Sequence, residues 1–236
     1  MPYYYRGFDP TYLLVLIGAV ICLLASARVK STFHKYSGRR SMSGMTGAQA
    51  AERILRSAGI YDVTICHIGG SLTDNYNPSR RTLNLSDDVY GATSVAAIGV
   101  AAHECGHAIQ HQQGYAPLSI RSAIVPVANI GSMLAWPLIL IGMFFTTGTG
   151  GLLINIGILC FSAAVLFQLV TLPVEFNASA RALRILGQEG ILSESELPDT
   201  RKVLGAAALT YVAGAAAAIL QLLRLVLLFG GRRGDD

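Results

Sequence analysis

Residues 122–174 read SAIVPVANIGSMLAWPLILIGMFFTTGTGGLLINIGILCFSAAVLFQLVTLPV, 53 residues without one Asp, Glu, Lys or Arg. A helix needs ~20 apolar residues to cross the hydrocarbon core of a bilayer, so the stretch holds two spans rather than one. The break falls at Thr146-Thr147-Gly148-Thr149-Gly150-Gly151, which is small and polar and leaves residues 123–145 and 152–172 as a helical hairpin. Residues 12–27 and 203–223 are two further apolar stretches, the latter able to run past Arg224 to residue 229. Four spans follow. The composition agrees, with 52% hydrophobic and only 14% charged residues, which is wrong for an ordinary soluble domain.

Ala25-Ser26-Ala27 has the look of a signal-peptide cleavage site. Only Arg6 and Asp9 precede the first span, however, while Arg28, Lys30, Lys35, Arg39 and Arg40 follow it. Basic residues resist translocation, so the expectation is a retained span with the following segment in the cytoplasm. That assignment places 14 of the 18 basic residues inside, counted over residues 28–121 and 181–202. Arg6, Arg232 and Arg233 fall outside, and Arg224 lies in the last span. The net charge of +4 is thereby accounted for and gives no support to a nucleic-acid partner. The four cysteines, Cys22, Cys66, Cys105 and Cys160, are scattered and form no disulfide framework.

Residues 28–121 fall to globular hydrophobicity and read as one small α+β unit. A helix is expected over 46–58, with apolar residues at Ala48, Ala51, Ile54 and Leu55 and an end at Gly59. A strand over 63–68 stops at Gly69-Gly70, and a second over 82–86 follows a polar loop containing Asp74-Asn75-Tyr76-Asn77-Pro78. Such strands either pack beneath a helix or offer an edge to an extended peptide. A helix over 94–113 has Thr93 or Ser94 as its N-cap and stops at Gly114.

That last helix carries His103-Glu104-Cys105-Gly106-His107. Residues four apart share a helix face, so His103 and His107 can offer two imidazole nitrogens to one ion while Glu104 reaches a water on it. This is the H-E-x-x-H pattern of zinc hydrolases. The plain alternative is a buried histidine pair on an ordinary helix. Catalytic zinc takes three protein ligands. His111 is a poor third, since two turns carry it ~12 Å along the axis from His103. A metzincin order is absent, because Gly114 comes after His111. Glu175 is the better candidate: a two-span hairpin returns the chain to the side it left, and Ala178, Ser179 and Ala182 let its helix approach closely. An acid that merely ends a span at the interface is the alternative there. The helix is expected to run over 175–186 and stop at Gly187, with a separate short helix over 193–202.

The runs Ala101-Ala102-His103-Glu104-Cys105-Gly106-His107-Ala108-Ile109-Gln110 and Pro173-Val174-Glu175-Phe176-Asn177-Ala178-Ser179, with Leu72-Thr73-Asp74-Asn75-Tyr76-Asn77-Pro78 and Leu85-Ser86 upstream, resemble the YugP-like neutral zinc metallopeptidases of bacterial membranes. The resemblance covers residues 46–186 and implies one catalytic zinc ion (Zn2+) held by His103, His107 and Glu175, with Glu104 as acid/base; HtpX-type membrane peptidases share this logic. One departure stands out: Asn75 occupies a position where histidine is expected.

The expectation is therefore a mainly α membrane protein, with four transmembrane helices and a small α+β zincin-like catalytic unit carrying the HExxH helix. Its segments are 1–27 (tail and first span), 28–121 (catalytic unit), 122–174 (hairpin), 175–202 (third-ligand helix and connector) and 203–236 (last span and tail). The expected function is a zinc-dependent endopeptidase of the bacterial cell membrane, hydrolysing polypeptides, membrane proteins among them, at the cytoplasmic face by gluzincin-like water activation. A zinc hydrolase of a lipid or small amide, and an inactive membrane scaffold, are the other readings. Asn75, Tyr76, Tyr90, Tyr115 and Arg181 have the chemistry to stabilise an oxyanion, and Asn177 and Arg181 to support a ligand. The small residues Ala206, Thr210, Gly214 and Ala218 permit close helix contact within a monomer or across a dimer, so the oligomeric state stays open.

Overall fold

The computed structural model describes residues 9–145 and 148–230. The tail residues 1–8, Thr146 and Thr147 of the expected turn, and residues 231–236 with Arg232 and Arg233 lie outside the described residues. The elements in order are α1 (Tyr12–Ser37), α2 (Gly47–Ser57), β1 (Thr64–His67), β2 (Asn75–Asn77), β3 (Thr82–Leu85), α3 (Asp87–Tyr90), α4 (Val95–Gln112), α5 (Ala116–Phe144), α6 (Gly148–Gln188) and α7 (Leu197–Phe229). The chain is mainly helical with one small three-stranded sheet, and α1, α5, α6 and α7 are each long and apolar enough to cross a membrane. All four cysteines are free thiols.

The contacts divide the chain into two units. One comprises the described residues of Met1–Leu24, Arg121–Val170 and Tyr211–Asp236. In lipid, helices gain nothing from burying apolar surface against each other, so close backbone approach must hold them. Here α5 and α6 meet at bare glycines: a Cβ on Gly131 would stand 2.7 Å from the Cys160 carbonyl, and one on Gly157 2.9 Å from that of Ala135. Arg224 stands 4.2 Å from the centre of the Tyr12 ring, with Asp9 at 3.8 Å.

The other unit comprises Ala25–Ile120 and Thr171–Thr210. The first helix does not end at Ala27. It continues to Ser37, because Ala25, Phe33 and Tyr36 form a buried stripe at helical spacing while Arg28, Lys30 and Lys35 face outward. Thr46 and Gln49 form a reciprocal capping box at the start of α2, with bonds of 3.2 and 2.9 Å. Gly59, at φ +71°, turns the chain after it.

The sheet runs β1-β3-β2, with β1 parallel and β2 antiparallel to β3. β2 lies inside the stretch read from sequence as a polar loop. Its pairing is carried by polar groups rather than alternating apolar ones: Asn84 donates to Asn75 at 2.9 Å, and the Asp74 carboxylate accepts from the Ser86 amide and hydroxyl at 2.7 and 2.9 Å. Burial pushes the Asp74 carboxyl above its ordinary range despite those two bonds. The short helix α3, which the sequence reading omits, follows Ser86 directly. Leu83 and Leu85 are fully buried, and β2, β3, α2 and α3 all pack on α4. Ser94 caps α4 through a 3.1 Å bond from the Ala97 amide, and Gly114, at φ +61°, follows its end.

Two expected breaks are absent. The third-ligand segment continues the apolar helix as one element, α6, which ends at Gln188, one residue past the expected stop; Gly190, at φ +62°, follows it. No separate helix occupies residues 193–202, because α7 starts at Leu197 and runs on without interruption. The cause is Glu196. Its carboxylate accepts the Ser193 amide at 2.9 Å and hydroxyl at 2.8 Å, which turns the chain at 193–196, and the Met42 amide at 2.8 Å, which ties that turn to the loop after α1. Burial alone pushes the Glu196 carboxyl up; the three donors, with Arg39 nearby, outweigh it and hold the pKa below the usual range.

A carboxyl whose pKa is lower in the folded than in the unfolded state contributes its full stability above the unfolded value, ~pH 4.3 for glutamate, and loses it as pH falls through the folded value. Glu196→Gln is expected to cost roughly 2 kcal/mol at pH 7, the scale of hydrogen bonds to a charged acceptor. Thermal melts of the two detergent-solubilised proteins should converge as pH drops below ~4.3. A gap that stays constant across that range refutes the assignment.

Candidate metal centre

His103 and His107 lie on α4, four residues apart and so on one face. The facing surface of α6 is Glu175, Ala178, Ser179 and Ala182, at positions i, i+3, i+4 and i+7. Ala178 and Ala182 are fully buried, and Gly106 meets Ala178 backbone to backbone: a Cβ on Gly106 would stand 2.7 Å from the Ala178 carbonyl oxygen. No larger side chain fits there without moving the helices apart.

The approach brings three ligand atoms to one point. His103 Nε2 lies 3.2 Å from His107 Nε2 and 3.2 Å from Glu175 Oε2, and His107 Nε2 lies 3.5 Å from that same oxygen. An ion bound tetrahedrally at ~2.0–2.1 Å requires its ligands about 3.3 Å apart, which the three separations match. Two imidazole nitrogens aimed at each other and at a carboxylate oxygen form a set of Lewis bases that a cation would reconcile. Two nitrogens and one oxygen suit zinc. Among the described residues this is the one group of three or more His, Cys, Asp or Glu side chains gathered closely enough to hold a metal.

The electrostatics follow from burial. Glu175 is 2% exposed; burial raises its carboxyl, but hydrogen bonds from His103 and His107 outweigh that and hold it well below the usual range. Burial lowers His107, yet its bond to Glu175 and the charges of Glu104 and Glu175 hold it above the ordinary imidazole value. Glu104 is 8% exposed, and among the described residues its carboxylate has no hydrogen-bond or ion-pair partner. Cys105 points to the other side of α4, fully buried, with Sγ 3.6 Å from the Ala51 carbonyl; burial first and Glu104 second push its thiol well up.

Ser179 Oγ lies 3.0 Å from His103 Nδ1, and Gln110 Oε1 3.0 Å from His107 Nδ1. The sequence reading gave Gln110 no part and Ser179 only that of a small residue in the helix contact; the signal available was that Gln110 follows His107 by three residues and Ser179 follows Glu175 by four. His111 stays outside the group, paired with the Tyr76 hydroxyl at 2.9 Å. Arg181 bonds Asn177 and Gln113 and lies over Tyr115, Tyr90 stacks on His67, and Asn75 bonds Thr73 and Asn84.

Residues 11–230 match the family described as "Putative neutral zinc metallopeptidase". The chain is 50% identical over 213 residues to the Bacillus subtilis (strain 168) protein named "Putative membrane protease YugP", an alignment that covers 90% of this chain and 93% of that protein. No solved structure matches the chain. A three-ligand group between α4 and α6, four apolar helices of membrane-crossing length and a family match over nearly the whole sequence agree with one another, and the chain belongs to the neutral zinc metallopeptidase family.

Proposed function

We propose that this chain is a zinc-dependent endopeptidase that cleaves polypeptides, membrane proteins among them, at the cytoplasmic face of the membrane. The observation that carries the reading is Glu104: a carboxylate 8% exposed that makes no hydrogen bond or ion pair among the described residues, its charge acting on His107, and next in sequence to a ligand of a three-membered group. A site built only to hold a structural ion has no use for it. The unit is zincin-like, with α4 as the HExxH helix, packed against the sheet whose edge strand β2 lies beside it. That edge suits an extended peptide.

His103, His107 and Glu175 hold the ion. Zinc bound there supplies Lewis acidity toward a water and toward the scissile carbonyl. Glu104 takes a proton from the attacking water as the C–O bond forms. It then gives that proton to the departing amine nitrogen as the C–N bond breaks. Glu175, being buried and ionised, contributes its charge without taking part in proton transfer.

Glu104→Gln is expected to lower peptide hydrolysis by at least ~100-fold, the scale of a general base, while the purified protein keeps one zinc per chain. Hydrolysis at the wild-type rate would sink the mechanism. If the wild type cleaves no peptide library but turns over a lipid or small amide, the substrate class is wrong and the metal chemistry stands. Glu175→Ala is expected to weaken zinc retention, read as metal content after dialysis against a chelator. Unchanged content transfers the third-ligand role elsewhere.

The orientation rests on the distribution of Lys and Arg. Green fluorescent protein fused after Gly190 should fluoresce in cells, and alkaline phosphatase fused there should stay inactive. The opposite pair of results places the site outside the cytoplasm.

A further inference from the structure

Gln110 is fully buried, yet its side chain makes three hydrogen bonds: Oε1 to His107 Nδ1 at 3.0 Å, and Nε2 to the Val174 carbonyl at 2.8 Å and to Asn177 Oδ1 at 3.0 Å. Asn177 Oδ1 also accepts from Arg181 Nε at 2.7 Å. Arg181 is fixed in turn by Gln113, at 2.5 Å, and by the Tyr115 ring, 5.7 Å from its guanidinium.

The direction of every bond in this chain is forced from its ends. A main-chain carbonyl only accepts, so the Gln110 group facing Val174 is the NH2. A guanidinium only donates, so the Asn177 atom facing Arg181 is the oxygen, and the same oxygen receives the second N–H of Gln110. What remains for His107 is Gln110 Oε1, a pure acceptor. His107 Nδ1 must therefore carry a proton, so that once the ring is neutral its lone pair is on Nε2, the atom that faces His103 and Glu175. The opposite amide orientation would set the Gln110 oxygen against two other acceptors, the Val174 carbonyl and Asn177 Oδ1, in a buried place where each unmet group is costly. His103 is under no such control, because its Nδ1 partner is the Ser179 hydroxyl, which can donate or accept.

We infer that Gln110, anchored by Val174 and by the Arg181–Asn177 pair, is a positioning residue that fixes the tautomer of His107 and so presents its Nε2 lone pair to the metal. The relay joins the two ligand helices: Gln110 belongs to α4, whereas Val174, Asn177 and Arg181 belong to α6 together with the third ligand Glu175. Orientation of His107 is thus set by the same helix that delivers the carboxylate. The inference rests on the zinc reading of the site above and assigns to Gln110, Asn177 and Arg181 a task distinct from ligation.

The test uses the full-length protein in detergent. Zinc affinity is measured by competition with a chelator, and the ring protonation of His107 by nitrogen chemical shifts of 15N-histidine-labelled, zinc-free protein, with His107→Gln to identify the signal. Gln110→Met, which keeps the volume and removes the acceptor, is expected to weaken zinc binding 10- to 100-fold, the range for groups that orient a ligand. Asn177→Asp keeps the accepting oxygen for both donors and should hold zinc within about twofold of wild type, as a relay of this direction requires. Once deprotonated at high pH, wild-type His107 should keep its remaining proton on Nδ1. Zinc affinity unchanged in Gln110→Met, or a neutral wild-type ring that keeps its proton on Nε2, overturns the proposal; the nitrogen spectrum decides even where Gln110→Met does not fold. If wild-type protein binds no zinc at all, it is the metal reading that fails, and the two failures are told apart.

Discussion

Gly106 lies against the backbone of Ala178, and the centre depends on that contact. Helices packed through side chains stand 8–10 Å apart. Here a missing side chain lets α4 and α6 come close enough for groups of one to reach main-chain atoms of the other. Glu175 and Ser179 sit on either side of Ala178 and arrive together at His103, while Gln110 reaches back to the Val174 carbonyl. The site is a seam between two helices, not a pocket lined by loops.

What the sequence makes legible and what it hides divide along physical lines. The charge-free run, the capped helix with two histidines four apart and the strands at 64–67 and 82–85 all write their periodicity into the residues. Glu175 was legible because it is the first charge after 53 uncharged residues. The strand at 75–77 was not, since Asp74, Asn75 and Asn84 pair through polar side chains that read as loop. Residues 193–202 misled in the other direction: acids near a helix start need not begin a separate one when Glu196 spends its oxygens on Ser193 and Met42. Gln110 was hidden for another reason: an interior glutamine has no sequence signature, and its partners on α6 lie 64 and 67 positions away.

Burying Glu104 and Glu175 with two imidazoles in one small region is expensive without a compensating charge. The ligand atoms are nonetheless gathered at the separations an ion would impose, held by the backbone contact of α4 and α6 and by hydrogen bonds from behind the rings. Such a site has most of its ordering cost met by the fold, which favours binding over a site that must assemble around the ion. Family membership and the ligand geometry therefore point the same way from unrelated starting points, one from sequence comparison and one from interatomic distances.

Cys105 occupies the middle of the ligand motif, and free thiolates compete strongly for zinc and for oxidants. In this fold the thiol turns away from the ligand face into a dry niche beside Ala51, where it stays protonated. A sulfur two residues from each histidine thus stands off the ligand face and out of reach of solvent. The motif carries a cysteine whose side chain belongs to the core, not to the centre.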